Sequence, residues 1–188
     1  MKRGNAITMR SFLLVAVTSC AVVFGGNELV LDAYSRPVKA FTRYYPRQVS
    51  SKANMWLTTT NTSDPETPCL ERRVVYTSVF SEDETIMFIP KQGAYVRVST
   101  ELNTVMSLDS KCDTLGIWRV ADSSSKIKEV VLTGSMSSND SIFTIQRAHR
   151  FLSIYKFAFG NSTDISFAEK GSDVPVFGSE SAFVFLPR

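Results

Sequence analysis

From residue 28 onward the chain is a succession of short runs rich in β-branched and aromatic residues, each closed by Gly, Pro, Ser, Asn or Asp. The runs fall at 29–31, 42–45, 55–59, 73–77, 85–89, 95–99, 104–108, 117–120, 129–133, 142–146, 151–157, 165–168 and 182–185. Many short strands at near-regular spacing, with turn chemistry between them, are the signature of an antiparallel sandwich or barrel. Several runs alternate, as in Tyr95-Val96-Arg97-Val98-Ser99 and Phe143-Thr144-Ile145-Gln146. Alternation puts one face in a core and the other in water. The chain is expected to be all-β, with no substantial helix after its first residues. Periodicity alone does not choose between a sandwich and a trefoil barrel. The polar stretches 122–125 and 135–141 read as loops, not as linkers between domains.

The first residues follow another logic. Lys2, Arg3 and Arg10 precede an almost wholly apolar or small stretch from 11 to 24. A charged start followed by an apolar run too short to span a bilayer reads as a secretory signal peptide. Residues 1–26 are expected to be that signal and 27–188 one domain, with cleavage between 19 and 26. A signal anchor is the alternative. The destination expected is extracellular, with the vacuole as the other possibility.

This removes the apparent basicity. The chain holds 21 Lys and Arg against 18 Asp and Glu, and three of the basic residues lie in the leader. What remains is balanced. There is no electrostatic case for nucleic acid or a membrane surface as partner.

Cys20 leaves with the leader, so Cys69 and Cys112 remain. In an oxidising compartment an even pair reads as a disulfide, with two buried thiols as the alternative. Chain-entropy arithmetic gives such a bridge roughly 4 kcal/mol. Asn61-Thr62-Ser63, Asn139-Asp140-Ser141 and Asn161-Ser162-Thr163 are glycosylation sequons in turn-rich stretches.

The order of motifs narrows the fold. Glu28-Leu29-Val30-Leu31-Asp32, Arg36-Pro37-Val38 and Tyr44-Tyr45 open the domain, followed by Cys69 after Pro68. Then come Val96-Arg97-Val98-Ser99-Thr100-Glu101-Leu102-Asn103, Cys112 with Trp118-Arg119-Val120, and finally Phe143-Thr144-Ile145 with Tyr155-Lys156-Phe157-Ala158-Phe159. This series resembles the plant Kunitz-type (soybean trypsin inhibitor-like) protease inhibitors across residues 28–188. The resemblance implies a β-trefoil, a six-stranded barrel capped by three hairpins. It implies the Cys69–Cys112 bridge and the loss of a second family disulfide, since Gly160 stands where a cysteine usually follows.

The resemblance also implies a function. Such inhibitors present a rigid exposed loop to a serine protease as a slowly cleaved substrate, and preorganisation supplies much of the affinity. The loop maps to Lys91, Gln92, Gly93, Ala94, Tyr95 and Val96. Tyr95 takes the pocket-filling position, with Val96 after the scissile bond. Tyr suits an apolar pocket, whereas trypsin requires Lys or Arg. Lys91 is the alternative if the register shifts. Departures at four positions weaken the apparatus. Ala40 stands where an Asn usually supports the loop from behind, and Ala has no polar side chain to offer. Phe41 and Ser35 stand where Gly is usual, and Pro46 replaces an aliphatic residue.

Other features carry less. His149 is the one histidine, so neither a catalytic triad nor a metal site can be assembled around it. It reads as a solvated surface residue. Trp56 and Trp118 read as core, and Glu82-Asp83-Glu84 as a solvated turn. No enzyme, no cofactor and no metal are expected, and a monomer is. The competing function is a non-inhibitory trefoil for storage or ligand binding. Relatives that bind chlorophyll do so near the first cysteine, where Pro65-Glu66-Thr67-Pro68-Cys69-Leu70 lacks the pattern sought.

Overall fold

The structure is a computed structural model, and it describes residues 28–49, 54–61, 72–107, 116–121, 128–160, 163–171, 175–176 and 182–188. The leader, both cysteines of the expected disulfide, the 65–70 segment and Asn161 lie outside the described residues.

Six strands close on themselves: β1 (Arg43–Gln48), β4 (Ile86–Pro90), β5 (Glu101–Met106), β9 (Phe143–Arg147), β10 (Tyr155–Phe159) and β14 (Phe183–Pro187). Each pairs antiparallel with the next, and β14 returns to β1. Closure removes the free edges that an open sheet would expose. The remaining strands form three caps: β2 (Met55–Asn61) with β3 (Arg72–Thr77); β6 (Gly116–Ile117) and β7 (Arg119–Val120) with β8 (Val130–Val131); and β11 (Thr163–Asp164) and β12 (Phe167–Glu169) with β13 (Pro175–Val176). The caps meet where β3 pairs with both β8 and β12. Three units follow, β1–β4, β5–β9 and β10–β14, each giving its first and last strand to the barrel. This is the expected β-trefoil.

Alternation decides which side chains enter. In β4, Ile86 and Phe88 are buried, and in β10 Tyr155 and Phe157 are. Phe88 meets Phe185 edge-on at 5.1 Å, and Trp118 lies 4.9 Å from Phe157. Each fully buried ring of this kind contributes about 2–3 kcal/mol by area removed from water. Pro46 sits within a barrel strand, which lacks a donor there. It is tolerated because β1 changes neighbours at that point: residues 43–44 pair with β4 and 47–48 with β2, so Pro46 has no partner on that side.

Several expectations need correction. The runs 29–31 and 95–99 form isolated bridges, not strands, because each is held by single residues of the other and of 37–39. The run 117–120 breaks at Trp118, whose ring enters the core while its main-chain N–H donates to the Thr104 carbonyl at 2.9 Å. The run expected from 151 begins only at Tyr155, since 148–153 bends outward as a loop. Trp56 is only half-buried, packed 4.7 Å from Phe80 away from the main core. Glu84 does more than turn: its carboxylate accepts the Thr58 hydroxyl of the first cap.

Candidate functional site

The segment between β4 and β5 rises from the barrel and returns to it. Lys91, Gln92, Gly93, Ala94 and Tyr95 are all exposed. Gly93 has φ +83°, in the left-handed region where a side chain is strained, and no atom approaches within 4 Å of the Cβ position. Glycine is there for backbone conformation, not for space.

The loop's base is built from the N-terminal segment. Val96 N–H donates to the Val38 carbonyl at 2.9 Å, and the Val96 carbonyl accepts from Val30 N–H at 3.0 Å. Val38 N–H donates to the Val30 carbonyl at 2.8 Å. The three valines are fully buried. One residue earlier, Lys39 and Tyr95 form an antiparallel bridge, and Ala40 N–H donates to the Ala94 carbonyl at 2.9 Å. Two buried phenols fix the supporting strand in turn: Tyr44 accepts from Lys39 N–H and Tyr155 from Leu31 N–H, both at 2.9 Å. Burial pushes the Tyr44 phenol above its ordinary pKa, against the lowering effect of the Lys39 bond.

At the start of this support, Asp32 is buried and caps a tight turn. Its carboxylate accepts Tyr34 N–H at 2.8 Å, Arg36 N–H at 3.0 Å and Arg36 Nε at 3.0 Å. The turn puts Ser35 at φ 60°, and Phe41 follows at φ 57°. These are the two positions where the resemblance leads one to expect Gly, and the backbone shows why.

The sequence-derived site residues thus divide. Tyr95 is 40% exposed while Val96, its neighbour, is at 0%. Lys91 is engaged: its ammonium lies 2.7 Å from Glu101, and its N–H bonds the Glu101 carbonyl at 3.2 Å. Ala40 offers no side-chain polar group but does supply a main-chain donor to the loop. The role of 30 and 38 escaped sequence reasoning. Their only signal was alternation within the opening motif, with no indication that the segment lies against 95–97.

Of the sequon residues, Asn139 is exposed in the 3-10 turn Asn139–Ser141. Ser141 of the same sequon is fully buried, with its Oγ accepting Ser135 N–H at 3.1 Å. Asn61 ends β2. His149 is exposed, as expected, in the 148–154 loop.

Residues 30–186 match the family model described as "Trypsin and protease inhibitor". Kunitz trypsin inhibitor 6 of Arabidopsis thaliana is 31% identical over 180 residues, covering 91% of this chain and 86% of the relative. Among solved structures, a Kunitz-type cysteine protease inhibitor from potato superposes with TM-score 0.66 at 17% identity, over 85% of this chain and 96% of the other. A water-soluble chlorophyll protein from Brassica oleracea var. Botrytis superposes at 0.63 with 18% identity, over 86% and 99%. The fold therefore serves proteins of more than one function, while sequence similarity along nearly the whole domain assigns the lineage: the chain belongs to the plant Kunitz-type (soybean trypsin inhibitor-like) protease inhibitor family.

Proposed function

We propose that this protein is a secreted inhibitor of a serine endopeptidase with an apolar primary pocket, acting through 91–96 with Tyr95 as the inserted side chain. One observation carries the reading. Tyr95 projects into solvent directly beside a fully buried Val96 whose N–H and carbonyl are both bonded to the body of the protein. If the protease cut after Tyr95, the new amine on Val96 would stay tied to the Val38 carbonyl and the acyl side would stay tied through the Ala94 carbonyl. The two ends would remain in register for religation, which is what turns a substrate into an inhibitor. Lys91 is less suited to the role because it is already paired with Glu101, although such an exposed pair is worth little by itself.

The test is titration of trypsin, chymotrypsin, subtilisin and papain with the purified mature chain. Stoichiometric inhibition of chymotrypsin, transferred to trypsin by Tyr95→Lys, is the expected result. Trypsin inhibition by the natural chain moves the assignment to Lys91. Simple cleavage of the loop by all four, with no inhibition, overturns the reading in favour of a non-inhibitory trefoil. Secretion through removal of 1–26, a Cys69–Cys112 bridge and glycosylation at Asn61, Asn139 or Asn161 belong to the same proposal. N-terminal sequencing and intact mass before and after reduction and deglycosylation check them. At Asn139 the buried Ser141 means that any glycan must be added before the domain folds.

A further inference from the structure

Five aromatic rings are exposed among the described residues: Tyr34, Phe41, Phe80, Tyr95 and Phe151. Three of them have partners on the protein's own surface. Arg36 lies over the Tyr34 ring at 5.1 Å and Arg150 over the Phe151 ring at 5.5 Å. Phe80 packs 5.1 Å from Tyr45 and 4.7 Å from Trp56. Among the described residues, no ring or cation lies against Phe41 or Tyr95.

The two unpartnered rings belong to neighbouring stretches of chain. Lys39 and Tyr95 form an antiparallel bridge, and Ala40 N–H donates to the Ala94 carbonyl at 2.9 Å. Phe41 comes next. One further step in this register would set it opposite Gly93. Instead the chain turns at Phe41 with φ 57°, and its N–H donates to the Phe88 carbonyl at 3.0 Å. Its ring is 66% exposed and takes no part in the core. A left-handed backbone is uncommon for a residue with a Cβ and an outlier for one as bulky as Phe. Burial of the ring does not offset that strain here. Strain that nothing in the free protein offsets points to an interaction made only in a complex.

The loop shows what such a ring adds. Gly93 and Ala94 precede Tyr95, with a single methyl group between them. A Cβ at 93 would have no atom within 4 Å. The residues before the inserted side chain therefore offer a protease almost no apolar surface, and Phe41 stands on the segment alongside them.

We infer that Phe41 is a second anchor of the protease-binding surface. With Tyr95 in the primary pocket, its ring packs on an apolar patch of the protease beside the subsites that receive Ala94 and Gly93. This deepens, and rests on, the reading of 91–96 as the reactive loop. An aromatic ring placed where the partner excludes water is the kind of side chain that concentrates binding energy in an interface.

The experiment measures inhibition constants and dissociation rates with chymotrypsin for the mature chain, Phe41→Ala and Phe41→Trp. Tyr95→Lys, with and without Phe41→Ala, is measured in parallel against trypsin. Urea midpoints and the rate at which 91–96 is cut are recorded for each. Phe41→Ala is expected to weaken chymotrypsin inhibition by about 10-fold, mostly through faster dissociation, while the urea midpoint and the cutting rate stay unchanged. Phe41→Trp should keep the inhibition. If Tyr95→Lys moves inhibition to trypsin and Phe41→Ala changes neither constant, the reactive loop stands and the second anchor is overturned. If Phe41→Ala lowers the urea midpoint or speeds cutting of the loop, the ring supports the loop instead of touching the protease, and the anchor is again overturned. If neither the natural chain nor Tyr95→Lys inhibits its protease, the reactive-loop reading fails and the anchor fails with it.

Discussion

The main-chain N–H of Ala40 donates to the carbonyl of Ala94 at 2.9 Å, one residue before the exposed Tyr95. The proposed reactive loop is therefore tied to the N-terminal segment although the side chain at 40 can contribute nothing polar. This bond and those of Val96 hold the C-terminal half of the loop. The exposed stretch 91–93 gains little from them. An added side-chain amide at 40 supplies the missing donors. Ala40→Asn is expected to tighten chymotrypsin inhibition by about 5–10-fold, the effect of one further hydrogen bond of about 1 kcal/mol. Inhibition constants of the two proteins, measured side by side, check it. An unchanged constant would mean that main-chain bonding already saturates the support.

Ser35 and Phe41 hold left-handed conformations that strain a residue with a Cβ by about 1–2 kcal/mol. Glycine removes the strain but adds freedom to the unfolded chain, which offsets about 0.4–1 kcal/mol. Ser35→Gly and Phe41→Gly should each leave stability unchanged or raise it by up to about 1 kcal/mol. Urea unfolding midpoints read the difference. A loss of more than about 1 kcal/mol at Phe41 would reveal packing by a ring that is 66% exposed.

Asp32 satisfies three donors while buried. Asp32→Ala leaves the Tyr34 and Arg36 N–H groups without that acceptor, at about 1–3 kcal/mol. Because the turn precedes the Val38 contact, the variant should also make the 91–96 loop easier to cut. Limited proteolysis, with fragment masses, is the measurement. Denaturant unfolding supplies the stability change.

Tyr44 adds a dependence on alkaline pH. Its folded pKa is raised above 10.0 by burial, so the folded state holds the phenolic proton more tightly than the unfolded chain. The associated stability is fully present below pH 10.0 and is lost as pH rises through the folded value. Tyr44→Phe should flatten the fall in unfolding free energy above pH 10.0 relative to the natural chain. At neutral pH it should cost about 1 kcal/mol for the acceptor lost to Lys39 N–H. A series of denaturant unfolding curves across that range decides it.

The sequence by itself determined the all-β class, because alternation such as Ile86-Met87-Phe88 is a local property of the strand that bears it. The ordered motifs from Glu28 to Phe159 placed the chain in its lineage, and the 91–96 segment to which the resemblance maps follows directly on the readable strand Ile86–Pro90. Other features were settled only by the tertiary structure. Whether 29–31 and 95–99 are strands depends on how many partners come alongside, and the fold supplies each with single bridges instead of a ladder. The support of Val96 by Val30 and Val38 joins positions far apart in the chain, and neither position carries a local mark of the other. The left-handed backbone at Ser35 and Phe41 is not legible in the residues themselves, which ordinarily avoid it, and only the Gly usual there in the family hinted at it. At 148–154 the apolar residues Phe151 and Leu152 look like the start of a strand, and only the closure of β9 against β10 at Arg147 and Tyr155 leaves them outside the barrel, in water.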